Sequence, residues 1–281
     1  MTQISNKSRC RGIDVIIRVH TITRQLELDR ALFSLINQTF QPVHPVIVTQ
    51  GFDAGATKVI TSLVENYDWL SYGHRAPSIM NVDDPAGADL RSTLLNVGIA
   101  NGCLRYIGFL DSDDYLYEHA YDYLIKQAEV TGSAISFGGV VRRDVNVFDR
   151  FVFNLRTRRE QFSGSGRDDL LIENFCPIHS FIVDRHLIDD EDLWFDPALT
   201  RLEDYDFLLR ICSKYNAFFE SRSEVIGVYN WHLGGEGTIE FHQDWRLPRH
   251  LENKRLWNQA RRRIWRRKCI IRDQVSRLSK G

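Results

Sequence analysis

Asp111, Asp113 and Asp114 set three carboxylates within four residues, directly after the apolar run Tyr106-Ile107-Gly108-Phe109-Leu110. Carboxylates this close repel one another unless a cation or a set of donors lies between them. Buried strands of open α/β sheets deliver ligand-binding groups at their carboxyl ends. The first chemistry the pattern suggests is therefore a divalent-metal site at the mouth of a sheet. The competing reading is an acidic cap for a helix beginning near Tyr117, a job that needs only one Asp. A calcium loop of the EF-hand kind is excluded: counted from Asp111, the sixth and twelfth positions are Leu116 and Asp122, not Gly and Glu. A second acid pair, Glu203-Asp204, opens a segment of helical periodicity, and the start of a helix favours an ionised carboxylate. Its plain alternative is helix capping, with Asp206 and Arg210 as an i,i+4 surface pair.

Elements that could position these groups follow from the hydrophobic pattern. Asp14 to His20 reads as a buried strand. Leu28, Ala31, Leu32, Leu35 and Ile36 lie on one face of a helix that ends before Gln41-Pro42, and Val43 to Thr49 form a second strand. Strand, helix, strand with short links is a βαβ unit and implies a parallel sheet. Further helices are expected over Thr57–Tyr67, Asp89–Asn101 and Glu118–Val130, with a short strand at Trp69–His74 and a loop over Asn81–Ala88. Ala134–Arg142, Val147–Leu155 and most of Ala217–Trp231 read as strands, and Phe181–Val183 are apolar. The glycines of Gly164-Ser165-Gly166 are no phosphate loop, since no Lys-Ser/Thr follows them.

Of 281 residues, 43% are hydrophobic and 26% charged, the composition of a globular chain with a sizeable core. No apolar run approaches the roughly 20 residues that span a bilayer. The segment Met1–Lys7 carries no apolar leader, and five single cysteines form no disulfide or zinc-ribbon spacing, so a cytoplasmic location is expected. The net charge of −1 conceals an asymmetry. From Phe241 onward there are 13 Lys or Arg against 3 Asp or Glu; the preceding residues carry 23 against 34.

Four stretches, in order, resemble the inverting family 2 glycosyltransferases of the GT-A fold. Residues 13–21 stand at that family's first strand. Residues 28–51 match its Leu-x-x-Ser-Leu-x-x-Gln-Thr helix through Ser34, Leu35, Gln38 and Thr39, and then its second strand. Residues 91–116 match the segment leading into Phe-Leu-Asp-x-Asp-Asp, the DXD motif. Residues 195–211 match Phe-Asp followed by Glu-Asp-Tyr-Asp and Leu-x-Arg. The resemblance implies a single GT-A type α/β domain over 12–240, with a mostly parallel, Rossmann-like sheet flanked by helices. Residues 12–115 would form the nucleotide-sugar half and 116–240 the acceptor half, followed by a basic helical tail over 241–281. It implies a metal-dependent, inverting, hexosyltransferase-like enzyme using Mn²⁺ or Mg²⁺. A bound cation offsets the charge that grows on the diphosphate leaving group. By the same resemblance Asp113 would be the metal ligand, Asp111 would face the donor ribose, and Asp114 and Glu203 would support the two acid motifs. Asp204 would be the base that takes the acceptor hydroxyl proton. His232 stands where some relatives supply another metal ligand, and equally where a surface histidine ends a strand. Arg91 and Asn96 fall beside the donor pocket, and His179 falls where the acceptor half begins, as a contact or as a packed residue.

Three positions depart from the family. Gln50 replaces the Asp that reads a uracil base, which leaves a uridine-linked donor favoured but not fixed. Arg18 replaces a Pro, where a guanidinium would meet phosphate or pair with Asp53; His20-Thr21 replace Tyr-Asn. The tail carries Leu256, Trp257, Ile264, Trp265, Ile271, Val275 and Leu278 at mostly helical intervals, interleaved with Arg261-Arg262-Arg263 and Arg266-Arg267-Lys268. Such a helix suits an anionic membrane surface, which would make the protein peripheral on the inner face of the membrane. The alternative is packing against the acidic body; nucleic acid has the charge but no fold motif in its favour. The reading is an enzyme that moves a sugar from a nucleotide-sugar to a saccharide or lipid-linked acceptor, in bacterial surface polysaccharide or lipid-linked glycan synthesis. The alternative is a non-catalytic sugar-nucleotide or carbohydrate-binding protein on the same fold. A nucleotidyltransferase is disfavoured, because no Gly-rich, Lys-containing loop follows His20.

Overall fold

The computed structural model describes residues 9–83, 88–148, 151–160, 166–233 and 248–278. Its first half alternates strand and helix: β1 (Cys10–Val19), α1 (Gln25–Ile36), β2 (Val43–Gln50), α2 (Ala54–Glu65), β3 (Ser78–Val82), α3 (Arg91–Asn101) and β4 (Leu104–Asp111). There follow β5 (Tyr115–Leu116), α4 (Ala120–Thr131), β6 (Ile135–Phe137), β7 (Gly139–Phe148), β8 (Phe151–Glu160) and α5 (Arg167–Leu170). The chain closes with β9 (Phe181–Asp184), α6 (Glu203–Lys214), β10 (Ala217–Phe218), β11 (Val225–His232) and α7 (Pro248–Leu278).

Seven strands form the main sheet in the order β10-β6-β9-β4-β1-β2-β3. All neighbours in it pair parallel except β9, which runs antiparallel to β4 and β6. Ile13, Val15, Ile16 and Ile17 of β1 are fully buried, because helices cover both faces of the sheet. Ile16, Val46 and Phe109 belong to one core cluster, and Ile13, Val15 and Ile17 to the cluster on the opposite face. Burial of each such side chain stabilises the fold by about 1.5–3 kcal/mol. α3 approaches β1 closely at Gly98, where a Cβ would stand 2.4 Å from Ile16 Cγ2.

From β1 the strand order runs outward through β2 to β3 and, on the other side, to β4. The crevice at the carboxyl ends of β1 and β4 is thus the topological switch point where open α/β sheets bind ligands. A second sheet, β5-β11-β7-β8, brings the end of β11 against the segment after β4.

The structure revises several sequence-based expectations. Trp69–His74 is a run of turns rather than a strand; Trp69 is buried with its indole N–H donating to Val64 O, and Gly73 takes a φ of +77°. The outer strand is instead Ser78–Val82, which takes up Asn81 and Val82 from the expected loop. One strand was expected over Val147–Leu155, but β7 ends at Phe148 and β8 begins at Phe151, with Phe148 and Phe151 paired and stacked. Gly138 separates β6 from β7 within Ala134–Arg142. Residues 84–87 of the expected loop, Gly164-Ser165, the side chains of Val275 and Leu278 and the 240/241 boundary lie outside the described residues.

α7 packs on the body. Ala260, Ile264 and Ile271 are buried, Arg267 Nε donates to Asp206 Oδ1 at 2.9 Å, and Arg263 Nη1 donates to Asp196 Oδ2 at 2.7 Å. Asp206, expected on the surface, is buried between Arg210 and Arg267. The opposite side of α7 presents Arg261, Arg262, Trp265, Arg266 and Ile270 to solvent. No described helix is long and apolar enough to cross a membrane.

Candidate functional site

A cavity of about 510 Å³ opens over the carboxyl ends of β1 and β4. Its wall brings together Arg18, Gln50, Arg91, Asp111, Asp113, Asp114 and His232, residues drawn from four strands, one helix and a turn. Glu203 is joined to that wall through Arg18, and Asp204 follows it in the chain.

The register of the sheet makes this junction. Arg18 and Asp111 are paired positions on β1 and β4, so their side chains emerge together. Arg18 Nε and Nη2 donate to Asp111 Oδ1 and Oδ2 at 2.8 and 3.3 Å, and Nη1 donates to Glu203 Oε1 at 2.6 Å. One guanidinium thus bridges the two acid motifs, and Arg18 has no bond to Asp53, which caps α2 instead. Burial works against its charge, but Asp111 and Glu203 outweigh burial and hold it firmly protonated.

The three aspartates have separate surroundings. Asp113 Oδ2 lies 3.0 Å from His232 Nε2 and 3.3 Å from Arg24 Nη1. Burial alone would raise its pKa; the hydrogen bond and charge of His232, with Arg24, turn the shift downward. Asp114 is almost fully buried. Its Oδ1 accepts from Asn230 N at 2.7 Å, and its Oδ2 lies 3.1 Å from His179 Nδ1. Burial, then the neighbouring Asp113 and Asp111, push Asp114 up to about 6 against the opposing pull of His179. Burial lowers His179, but Asp114 and its neighbours more than reverse that effect, so His179 is held above its ordinary value. None of the three caps a helix: α4 starts at Ala120 after His119, with no side-chain cap. The capping alternative for 111–114 therefore fails. His179 is a packed, fully buried residue behind Asp114, and Asn96 holds the turn at Phe195 through bonds to its N and O.

Arg91 is held by Asp89, Nε and Nη2 donating at 2.8 Å each, and its Nη1 comes within 4.0 Å of Glu203. Gln50 uses its amide on the loop above it: Nε2 donates to Ala88 O, and Oε1 accepts from Leu90 N at 3.4 Å.

α6 begins after Leu202, a non-glycine residue at φ +59°, with no side-chain cap. A left-handed leucine is a strained start, of order 1–3 kcal/mol, beside the acid pair. Asp204 Oδ1 accepts from Tyr205 N at 2.7 Å and Oδ2 from Asn174 Nδ2 at 3.2 Å. Burial, then the charge of Glu203, raise Asp204 to about 6, against Tyr205 N–H, Arg18 and Asn174. At neutral pH such a group is ionised yet retains unusual proton affinity, the state a general base needs.

Two site residues were not picked out in the sequence, Arg24 and Glu27. Arg24 Nη1 reaches both Asp113 and, at 3.5 Å, His232 Nε2. Glu27 is 1% exposed, lies 3.4 Å from His232 Nε2, and neither of its oxygens has a hydrogen-bond partner. Burial raises its pKa, against His232. The signal was present: Glu27 falls on the buried face of α1 with Ala31, Ser34 and Leu35, where a carboxylate is out of place.

Asp113 Oδ2 and His232 Nε2, 3.0 Å apart, are a carboxylate–imidazole pair that one divalent cation with bonds of roughly 2.1–2.3 Å could bridge, and Glu27 Oε1 lies 3.4 Å from His232 Nε2. The Glu27 carboxylate is buried and makes no hydrogen bond, with Arg24 Nε 3.7 Å from its Oε2. The Arg24 guanidinium holds part of that place, so a cation and Arg24 compete for Asp113.

No protein-family model matches the chain, and no curated protein matches it. Solved structures do. S. aureus TarS 1–349 in complex with UDP-GlcNAc superposes with a TM-score of 0.55 at 16% identity over 87% of this chain and 65% of that one. GalNAc-T7 with UDP, GalNAc and Mn²⁺ gives 0.53 at 12% identity over 83% and 46%. Mannosyltransferase PcManGT from Pyrobaculum calidifontis, with GDP-Man and Mn²⁺, gives 0.50 at 12% identity over 96% and 76%. The chain spans 60% of TarS 1–349 as crystallised alone and 37% of the longer TarS. At these identities the likeness establishes the fold, an α/β sheet flanked by helices and shared with nucleotide-sugar glycosyltransferases.

Proposed function

We propose that the chain is an inverting, metal-dependent glycosyltransferase that moves a sugar from a nucleotide-sugar to an acceptor hydroxyl. The observation that carries this reading is Arg18, a cavity-lining residue that ties Asp111 at the end of β4 to Glu203 at the start of α6 and so joins the second acid motif to the cavity wall. Asp113, His232 and Arg24 would hold the metal and the diphosphate. Mn²⁺ or Mg²⁺, when bound by Asp113 and His232 with Glu27 behind them, supplies positive charge for the departing diphosphate. Arg24 and Arg91 add fixed guanidiniums to the same wall, Asp111 faces the ribose, and Gln50 holds the 88–90 loop over the nucleoside. Asp204, next to the Arg18 partner Glu203, takes the acceptor proton, and Glu203 and Asp114 hold the two motifs in place. On this reading residues 12–115 serve the donor, 116–240 the acceptor. The ligands of the structural neighbours support a UDP-linked or a GDP-linked sugar. Surface polysaccharide or lipid-linked glycan synthesis is the context we favour. The exposed arginines of α7 around Trp265 and Ile270 would rest on an anionic membrane face.

A donor-consumption screen over nucleotide-sugars and Mn²⁺ tests the reading. Asp204→Asn should abolish turnover while donor binding is retained. Binding without turnover in the unaltered protein, for every donor and simple acceptor, would support the non-catalytic alternative. That alternative draws on one observation, that both oxygens of Asp111 are already engaged by Arg18.

A further inference from the structure

At the amino-terminal ends of the central strands, away from the cavity, three potential ligands meet: Asp14 on β1, His44 on β2 and Cys103 just before β4. One ligand atom from each lies within 4.8 Å of the others. Asp14 and His44 are register partners on adjacent parallel strands, so their side chains share a face. Asp14 precedes Arg18 by four residues, roughly 13 Å along the strand.

Each of the three is oriented by a further partner. Asp14 is fully buried; its Oδ2 accepts from Leu104 N at 2.7 Å with Arg185 Nη2 at 3.5 Å, which turns Oδ1 toward His44 Nδ1 at 2.7 Å. His44 is 6% exposed, and its Nε2 meets Ser78 Oγ at 2.9 Å on β3. Cys103 is exposed, and Arg75 Nη1 donates to its Sγ at 2.9 Å. Metal sites are built in this way, with outer partners fixing the ligands.

We infer that Asp14, His44 and Cys103 form a Zn²⁺ site that clamps β1, β2 and the entry to β4. One thiolate, one imidazole and one carboxylate match zinc, while Mg²⁺ and Mn²⁺ prefer all-oxygen or oxygen-rich sets. Tetrahedral coordination brings ligand atoms to roughly 3.3–3.8 Å, so closure needs about 1 Å of movement, available to the exposed Cys103 side chain. On binding, Cys103 releases its thiol proton to solvent. His44 takes the tautomer with its single proton on Nε2: any proton shared between Nδ1 and Asp14 leaves to solvent, Nε2 takes one up from solvent and donates it to Ser78 Oγ, and the bare Nδ1 coordinates. The fourth position is open to solvent beside Cys103.

The site is tested by titrating the full chain with Co²⁺, a zinc surrogate whose bond to a thiolate gives a near-ultraviolet charge-transfer band. A band saturating near about one equivalent, displaced by Zn²⁺ and absent in Cys103→Ser, is the expected result. The band should persist in Asp113→Asn, because Co²⁺ at Asp113 and His232 has no thiolate to report. The inference is overturned if the band never forms, if it survives in Cys103→Ser, or if Asp113→Asn removes it. Because the readout is thiolate ligation, failure here leaves the proposed transfer reaction untouched, and failure of that reaction leaves this site untouched.

Discussion

Replacing Arg18 by Gln should reveal how far the site depends on one guanidinium. The side chain keeps its aliphatic stem but loses the guanidinium and its charge, leaving Asp111 and Glu203 without their shared cation. Breaking a buried pair by removing one partner costs about 3–5 kcal/mol. Glu203 is 5% exposed and Arg18 18%, but Asp111 is 29% exposed and is partly compensated by water, so the lower end applies, about 3 kcal/mol. For a chain of this size that is a fall in Tm of roughly 6–12 °C. The loss has a pH signature. A carboxyl whose pKa is raised by folding destabilises the native state above its unfolded pKa, and the penalty lifts as falling pH protonates it. Arg18 also lowers the pKa of Asp204, so its removal should carry Asp204 further above about 6. Thermal melts of both proteins at pH 5 and pH 8 provide the assay. The difference between them should be largest at pH 8 and shrink at pH 5, and any acidic limb in the rate profile should move to higher pH. A loss below about 0.5 kcal/mol, the figure typical of an inconsequential surface change, would refute the reasoning, as would equal losses at the two pH values.

Three further outcomes follow from particular contacts. In the unaltered protein kcat/KM should rise through about pH 6 as Asp204 ionises, and a profile flat from pH 5 to 8 would remove Asp204 as the base. Gly98→Ala should cost about 1–3 kcal/mol in urea unfolding, since its Cβ would press on Ile16; a neutral result would mean that α3 and β1 can separate freely. Replacing the exposed Arg261, Arg262 and Arg266 by Gln should reduce sedimentation with phosphatidylserine vesicles while leaving Tm unchanged. Arg267→Ala should instead lower Tm by leaving Asp206 buried with a single partner, and a reversal of these two effects would exchange the faces of α7.

The parts of the fold legible in the sequence were those where burial dictates residue type. The strands around Ile16, Ile47 and Phe109 are apolar on both faces because helices cover both, and a parallel sheet leaves that pattern as an unbroken run. The cluster at 111–114 was legible because its charge density exceeds any capping need. Other features depend on contacts that no local pattern carries. Glu27 stands on the apolar face of α1, which marks it as out of place, but that it and Arg24 belong to the site follows only from their approach to Asp113 and His232, far along the chain. Trp69–His74 has the aromatic content of a strand, yet Gly73 turns the backbone and Trp69 buries itself beside Val64. The tail's packing on the body depends on which side of α7 meets Asp196 and Asp206, a contact that the helical spacing alone does not reveal.

The central claim is that the carboxylates after β4 hold a cation for a nucleotide-sugar diphosphate. Its most direct test is calorimetric binding of UDP- and GDP-sugars with and without Mn²⁺, on the unaltered chain and on Asp113→Asn. The account predicts binding of one donor class that strengthens at least about tenfold with Mn²⁺, roughly 1.4 kcal/mol, and loses that gain in the variant. Donor binding of equal strength without metal, or an Mn²⁺ effect that survives Asp113→Asn, would contradict it.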